Sequence, residues 1–299
     1  MELEDSAGSE PLAARAGDPW SAHWSNRWGG DGSPWNLYCG DAGQVLSALP
    51  DCRYSCVVTS PPYFWLRDYK VVGQLGREPK VEMYVSRVAD VMDQVKRVLH
   101  PKGLLFLNLG DTFYSGKGRP GGRDSKHPGR RQRKLRAVDA SGLGVPKKTL
   151  LGMPWRVALE MIDRGWTLRS AVVWQRTHAT PEPTAKDRPW RTHEQVFLFA
   201  KSRIYDFDRQ PLRDAGEEDV WRIPSHSLAG RPHPAVFPAE LVERCLDVAG
   251  VKVGDVVLDP FAGSGTVLKV AIARGVAADG IDLSRKFCRQ VVAELTAII

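Results

Sequence analysis

The stretch Val57-Val58-Thr59-Ser60-Pro61-Pro62-Tyr63 sets a hydroxyl, a backbone stiffened by two prolines and an aromatic face at the end of an apolar run. Proline has no N–H and a fixed φ, so a Pro-Pro pair holds a turn rigid and leaves its carbonyls free to accept. These parts suit the handling of a flat nucleobase. An exocyclic amino nitrogen shares its lone pair with the ring and attacks a methyl donor poorly unless acceptors hold its N–H bonds. Ser60 Oγ and the Pro61 carbonyl are the candidate acceptors, and Tyr63 offers a stacking face. A lone Pro-Pro turn is more often just a turn, so the reading leans on a second segment far downstream.

That segment is Val256 to Thr266, Val-Val-Leu-Asp-Pro-Phe-Ala-Gly-Ser-Gly-Thr, a short apolar strand entering a glycine-rich turn ahead of an apolar helical stretch from Val267 to Ala273. Glycine lets a backbone approach a ligand closely, and the helix beyond presents unpaired N–H groups. No lysine follows the glycines directly, which excludes a P-loop, and Leu268 breaks the G-x-G-x-x-G dinucleotide pattern. Gly275 to Asp282 then reads as the next strand. Its terminal Asp282 lies ~20 residues past the loop, where a carboxylate accepts ribose hydroxyls in such folds. Capping of the last helix is the competing role for Asp282, and Ser284 is placed to take that role instead.

The two segments together, in this order, resemble the β-class amino-methyltransferases of DNA, in which an S/D-P-P-Y segment precedes a D-P-F-A-G-S-G-T segment, a circular permutation of the usual methyltransferase order. The resemblance runs from about Leu37 to the C-terminus and includes Leu37-Tyr38-Cys39-Gly40-Asp41, Tyr63 to Tyr69, Leu105 to Asp111, Gly152 to Arg156 and His233-Pro234-Ala235-Val236-Phe237-Pro238. It implies S-adenosylmethionine held by Asp259, Phe261, Gly263, Gly265 and Asp282, with Asp41 near the adenine amino group and Phe237 enclosing the methionine end. It implies catalysis by Ser60, Pro61, Pro62 and Tyr63 on a base flipped out of duplex DNA. Serine at position 60 is similar to the enzymes acting on cytosine N4, with adenine N6 as the alternative. RNA or protein-amide methylation and a catalytically silent DNA-binding module are further alternatives. A separate cognate restriction endonuclease and an oligomeric state are compatible with this reading.

Charge points to the same partner. The net charge of +7 is concentrated, with nine Lys or Arg against Asp124 alone between Lys117 and Arg136. A basic loop over 115–146 is expected, with Lys117, Arg119, Arg123, Arg130, Arg131, Arg133 and Lys134 as phosphate contacts, extended by Lys147, Lys148, Arg176, Lys186 and Arg188. The polar stretches Gln175 to Trp190 and Asp208 to Pro232 are the candidate base readers, so target recognition is placed at about 175–232. The five cysteines form no CxxC pair and fit reduced thiols, and no metal site is expected. No apolar run approaches the ~18 residues of a membrane span and the N-terminus is no signal peptide, so a cytoplasmic, nucleoid-associated protein of prokaryotic type is expected.

The elements that must position these residues follow from periodicity. Tyr54 to Thr59 is a buried strand; Val81, Val85, Val88, Met92, Val95 and Leu99 mark a helix that Pro101 and Gly103 terminate; Leu104 to Leu109 is the next strand. Met153 to Arg164 is a helix, Thr167 to Trp174 a strand, and Gln195 to Ala200 with Arg203 to Phe207 a hairpin that supplies an antiparallel edge. Ala239 to Ala249 is the helix before the glycine loop. The alternation predicts one doubly wound, mostly parallel α/β domain over 35–299, preceded by a loosely ordered arm over 1–34, and the resemblance implies that its sheet is the seven-stranded, Rossmann-like, circularly permuted sheet of the methyltransferases.

Overall fold

The computed structural model describes residues 18–26, 34–114, 143–177, 182, 185–225 and 238–298. In chain order the elements are β1 (Ala22–Asn26), β2 (Trp35–Cys39), α1 (Ala42–Ala48), β3 (Tyr54–Thr59), α2 (Val81–Val98), β4 (Leu99–Leu109), α3 (Met153–Asp163), β5 (Thr167–Arg176), β6 (His193–Ala200), α4 (Gln210–Ala215), β7 (Val220–Ile223), α5 (Ala239–Val248), β8 (Val256–Asp259), α6 (Thr266–Ala273), β9 (Ala277–Asp282) and α7 (Arg285–Ile298). They build one sheet of nine strands in the order β1-β2-β9-β8-β3-β4-β6-β5-β7. Seven of these, from β2 to β5 in that order, make a mostly parallel sheet of the expected size, with β2 in it and no strand at 203–207, and β1 and β7 extend its edges. β1 runs antiparallel to β2, and β6 runs antiparallel to both β4 and β5; the remaining pairings are parallel.

Both faces of the sheet are covered, which is why its central strands β3, β8 and the second half of β4 are nearly continuous apolar runs. On one face Cys56, Val58, Leu104, Phe106, Val196 and Leu198 meet Leu212 of α4, Leu241 and Cys245 of α5, Leu268 of α6 and Val291 of α7. On the other, Val57, Leu105, Leu107, Phe197 and Phe199 meet Val45 of α1, Val88 and Met92 of α2 and Val157 of α3. Successive residues of a strand point to opposite faces, so each strand feeds both cores.

Four expectations about elements are corrected. The segment read as a loose arm contributes β1, whose Trp24 is 1% exposed in the core; residues 1–17 and 27–33 lie outside the described residues. Pro101 and Gly103 do not separate a helix from a strand, because β4 begins at Leu99 and runs through both. The register between β3 and β4 shifts there, with Tyr54 opposite Leu99 and Cys56 opposite Leu104, and a proline is tolerated at such an irregularity because no ladder bond is required of it. Residues 203–207 form no strand. The antiparallel partners of β6 are β4 and β5, and with both its edges taken no position remains for a following hairpin strand. Finally, 208–225 is not irregular: it holds α4 and β7, with Leu212, Trp221 and Ile223 buried.

A buried acid ties the parallel half together. Asp279 of β9, 1% exposed, accepts from Asn36 Nδ2 of β2 at 2.7 Å and from the Tyr54 hydroxyl of β3 at 2.7 Å, and lies 3.3 Å from Arg53 Nη2. Losing this acceptor strands the buried Tyr54 hydroxyl and unpairs the half-buried Asn36 amide and Arg53, so Asp279→Ala is expected to cost about 2 to 4 kcal/mol of stability, whereas Tyr54→Phe costs about 1 kcal/mol. Urea unfolding of both variants checks the difference.

Candidate active site

The crevice lies between β3 and β8, which pair in parallel with Cys56 opposite Val257 and Val57 opposite Leu258. From β3 the chain passes through α2 to β4 on one side, and from β8 through α6 to β9 on the other. Strand order reverses at this point, where open α/β sheets hold ligands. The last residues of the two strands touch. Thr59 Oγ1 donates to Asp259 Oδ1 at 2.7 Å, and the Phe261 N–H donates to the same oxygen at 3.0 Å. Burial drives the Asp259 carboxyl up to about 7, against the lowering effect of those two donors.

The turn after Thr59 is held from three sides. The Tyr84 hydroxyl of α2 donates to the Pro62 carbonyl at 2.9 Å, while the Pro61 carbonyl accepts from no donor among the described residues. Ser60 Oγ donates to the Tyr63 hydroxyl at 3.2 Å, which in turn stands 2.8 Å from Asn108 Oδ1 and 2.6 Å from Glu194 Oε2. Gly110 follows β4 and lies against the Tyr63 ring so closely that a Cβ there would come within 2.5 Å of a ring carbon. The loop beyond folds back on the turn: the Trp65 N–H donates to the Gly76 carbonyl at 2.6 Å, and Trp65 Nε1 donates to the Glu78 carbonyl at 2.7 Å. Gly76, at φ +91, leaves no room for a side chain beside the Tyr63 carbonyl. Asp68 pairs with Arg77 at 2.6 Å.

The glycine loop is closed by Asp282. Its Oδ2 accepts from the Gly263 N–H at 2.9 Å and its Oδ1 from the Ser284 N–H at 2.7 Å; burial raises its carboxyl to about 7. The cap of α7 is Ser284, whose Oγ receives the Phe287 N–H at 3.5 Å. Gly265 has φ +71, and a Cβ there would lie 2.5 Å from Val291 of α7, so the loop and the last helix require glycine at that position. Asp41 caps α1 through Gln44. The sheet order β2-β9-β8-β3 therefore sets Asp41, Asp282, Asp259 and Ser60 in a row along one rim. Phe261 is half-buried in the loop, and Phe237 lies outside the described residues. All five cysteines are free.

Residues 54–293 match the DNA methylase family of N6 and N4 methyltransferases. The chain belongs to this family. It is 40% identical over 261 residues to the type II methyltransferase M.XycI of Xanthomonas campestris pv. cyanopsidis, covering 84% of each chain, and 40% identical over 258 residues to M.Cfr9I of Citrobacter freundii, again 84% of each. Among solved structures it is similar to the PvuII DNA methyltransferase (cytosine-N4-specific), with TM-score 0.65, 21% identity and coverage of 86% and 85%. A putative DNA modification methylase from Thermus thermophilus, complexed with S-adenosyl-L-methionine, gives TM-score 0.59, 24% identity and coverage of 87% and 93%. These two likenesses concern the fold. The resemblance read from the paired motifs is borne out at family level, and the permuted order has a visible basis: C-terminal β8 and β9 insert between β2 and β3, which are adjacent in sequence.

The basic residues divide. Lys117, Arg119, Arg123, Arg130, Arg131, Arg133 and Lys134 lie outside the described residues. Lys147 and Lys186 are exposed. Lys148 pairs with Asp187 at 2.5 Å, Arg176 with Glu194 at 3.3 Å and Arg188 with Glu182 at 2.8 Å. Arg188 also stacks 3.8 Å over the Phe113 ring, with Arg191 at 5.5 Å from it, so this segment is anchored beside the strand end that carries Gly110. Sequence reasoning missed Thr59, Gly110 and Glu194 as parts of the site. Gly110 lies within the stretch Leu105 to Asp111, and a glycine directly after an apolar strand was its signal; Glu194 had none, because its place depends on the reversed direction of β6.

Asp259 and Asp282 sit at about 7 in the folded chain against 3.8 in an unfolded one, so the folded state retains protons that the unfolded state has released between those values. The stability tied to these two groups is full below about pH 4 and falls as pH rises through about 7. Asp259→Asn keeps an acceptor for Thr59 without the titration and is expected to shrink the loss of stability between pH 5 and pH 8, measured by urea unfolding at both pH values.

Proposed function

We propose that this protein methylates the exocyclic amino nitrogen, N4, of a cytosine flipped out of duplex DNA at a defined sequence, with S-adenosylmethionine as donor. The observation that carries the reading is the bond between Thr59 and Asp259, which joins the Ser-Pro-Pro-Tyr turn to the glycine loop. A base handled by the turn and a cofactor held by the loop then meet across one strand pair. The type II methyltransferases among its relatives support a sequence-specific DNA substrate, with a cognate endonuclease acting separately. Ser60, in place of an aspartate, favours cytosine over adenine.

The residues present suit S-adenosylmethionine. Each oxygen of Asp282 uses one acceptor site, Oδ2 on the Gly263 N–H of the loop and Oδ1 on the Ser284 N–H before α7, and keeps another for a ribose hydroxyl. Asp41 keeps the carboxylate oxygen that does not cap α1. The rim carries carboxylates, which suits a cationic sulfonium rather than a polyphosphate. Gly263, at φ +53, brings bare backbone to the crevice. When bound, the cofactor supplies an electrophilic methyl group on sulfur.

Ser60 donates its own proton toward Tyr63, so its lone pairs remain for an amino N–H. The Pro61 carbonyl takes the second N–H, and the paired acceptors draw the nitrogen lone pair out of conjugation. The base stacks on the side of the Tyr63 ring away from Gly110. Extruding it costs a few kcal/mol, and holding both reactants in line contributes up to ~7 to 11 kcal/mol. Lys147 and Lys186, with the basic segment over 115–146, neutralise phosphates.

Nucleosides released from mixed-sequence plasmid DNA treated with the protein and isotopically labelled cofactor, analysed by mass spectrometry, are expected to contain N4-methylcytosine. N6-methyladenine in its place would move the substrate assignment. Ser60→Ala is expected to lower turnover on the order of 10²-fold with cofactor affinity kept. Gly110→Ala, which forces the Tyr63 ring aside, should lower turnover at least tenfold; single-turnover assays and calorimetric titration of the cofactor separate the two effects.

A further inference from the structure

Methylating an amino nitrogen leaves one proton too many. The nitrogen that has taken the methyl group is cationic, and it becomes the neutral product only by losing H⁺. Serine by itself is a weak base, yet the oxygens behind Ser60 form a chain that is one proton short. Tyr63 has a single hydroxyl proton. It faces two acceptors, Glu194 Oε2 at 2.6 Å and Asn108 Oδ1 at 2.8 Å, while receiving the Ser60 hydroxyl at 3.2 Å. Asn108 Nδ2 donates to the Gln195 carbonyl at 3.2 Å, which keeps the amide oxygen turned toward Tyr63.

The end of the chain is an anion. The 2.6 Å contact lies in the range of a hydroxyl donating to a carboxylate. Burial, then the Glu194 charge, push the Tyr63 phenol well above its usual range, so Tyr63 keeps its proton and passes others on without ionising. Glu194 is 17% exposed, and its second oxygen lies 3.3 Å from Arg176 Nη1, which leaves Oε2 to face Tyr63. Donation therefore runs one way, from Ser60 to Tyr63 to Glu194.

We propose that Glu194 is the terminal proton acceptor of the methyl transfer, reached from the base through the hydroxyls of Ser60 and Tyr63. As the N–H bond of the methylated nitrogen breaks, its proton forms an O–H bond on Ser60. The original Ser60 proton passes to Tyr63, and that of Tyr63 to Glu194 Oε2. The nitrogen regains its electron pair and is neutral, the carboxylate becomes a carboxylic acid, and both hydroxyls end as they began. The arriving proton also completes the network, since protonated Glu194 donates to Tyr63 and Tyr63 turns its own proton to Asn108.

This inference rests on the amino-methyltransferase reading, and the two fail differently. A wild-type protein that forms no methylated nucleoside overturns both, whereas the relay alone falls if the wild type is active and the variants match it. Single-turnover methylation of mixed-sequence plasmid DNA, at saturating labelled S-adenosylmethionine, is the measurement. Glu194→Gln is expected to slow the step on the order of 10²-fold, with cofactor and DNA affinities within about twofold of wild type, and Glu194→Asp recovers part of the rate. Because Glu194 acts through Tyr63, adding Glu194→Gln to Tyr63→Phe costs less than about twofold more. A Glu194→Gln rate within about threefold of wild type, or the full loss repeated in the Tyr63→Phe background, overturns the relay. Should Glu194→Gln fail to fold, Tyr63→Phe decides alone. It keeps Glu194 and breaks the chain, so a rate near wild type refutes the relay and an order of 10²-fold loss at unchanged cofactor affinity supports it.

Discussion

The contact on which the site depends is the hydrogen bond from Thr59 to Asp259, 200 residues apart in sequence and both buried at the ends of adjacent parallel strands. It sits where the sheet changes direction, and it converts two unrelated turns into one rim. The bond carries a cost, because a carboxyl sealed from water prefers to be neutral. Two donors on one oxygen offset part of it, and the Phe261 N–H is the first backbone group of the glycine loop. The residue that joins the strands is thus also the one that starts the loop.

From that contact the remaining geometry follows by neighbour relations. β9 brings Asp282 beside Asp259, and β2 brings Asp41 beside Asp282. On the other flank β4 brings Asn108 and Gly110 to Tyr63. β6 enters from the opposite direction, so its first residues, not its last, reach the same rim, and Glu194 arrives there for that reason. A row of acceptors and carboxylates on one side and a tethered aromatic hydroxyl on the other is what a transfer between a cation and an amino group needs.

Where sequence reasoning erred, the interior overrode local rules. Pro101 and Gly103 ordinarily stop an element, yet the shifted register between β3 and β4 absorbs them. A Gly- and Ser-rich lead segment is by composition a poor candidate for a core, yet β2 offers an open edge and Trp24 an apolar ring to bury against it. The short α4 and β7 were hidden because a helix of six residues and a strand of four carry little periodicity, and the alternation of Trp221 and Ile223 marked only the strand. Several expected phosphate contacts, Lys148, Arg176 and Arg188, have acidic partners that a charge tally cannot reveal.

What the amino-acid sequence determined unaided was chemical kind: a stiff turn of hydroxyl, carbonyls and ring, a glycine loop without a phosphate-binding cation, and strands apolar on both faces that demand helices above and below. Residue type and local spacing are properties of a short stretch of chain, so they can be read without coordinates. Only the tertiary structure decided which strands lie side by side and in which direction each runs. Pairing across 200 residues and the reversal of β6 are outcomes of packing the whole sheet, and they alone bring Thr59 to Asp259 and Glu194 to Tyr63.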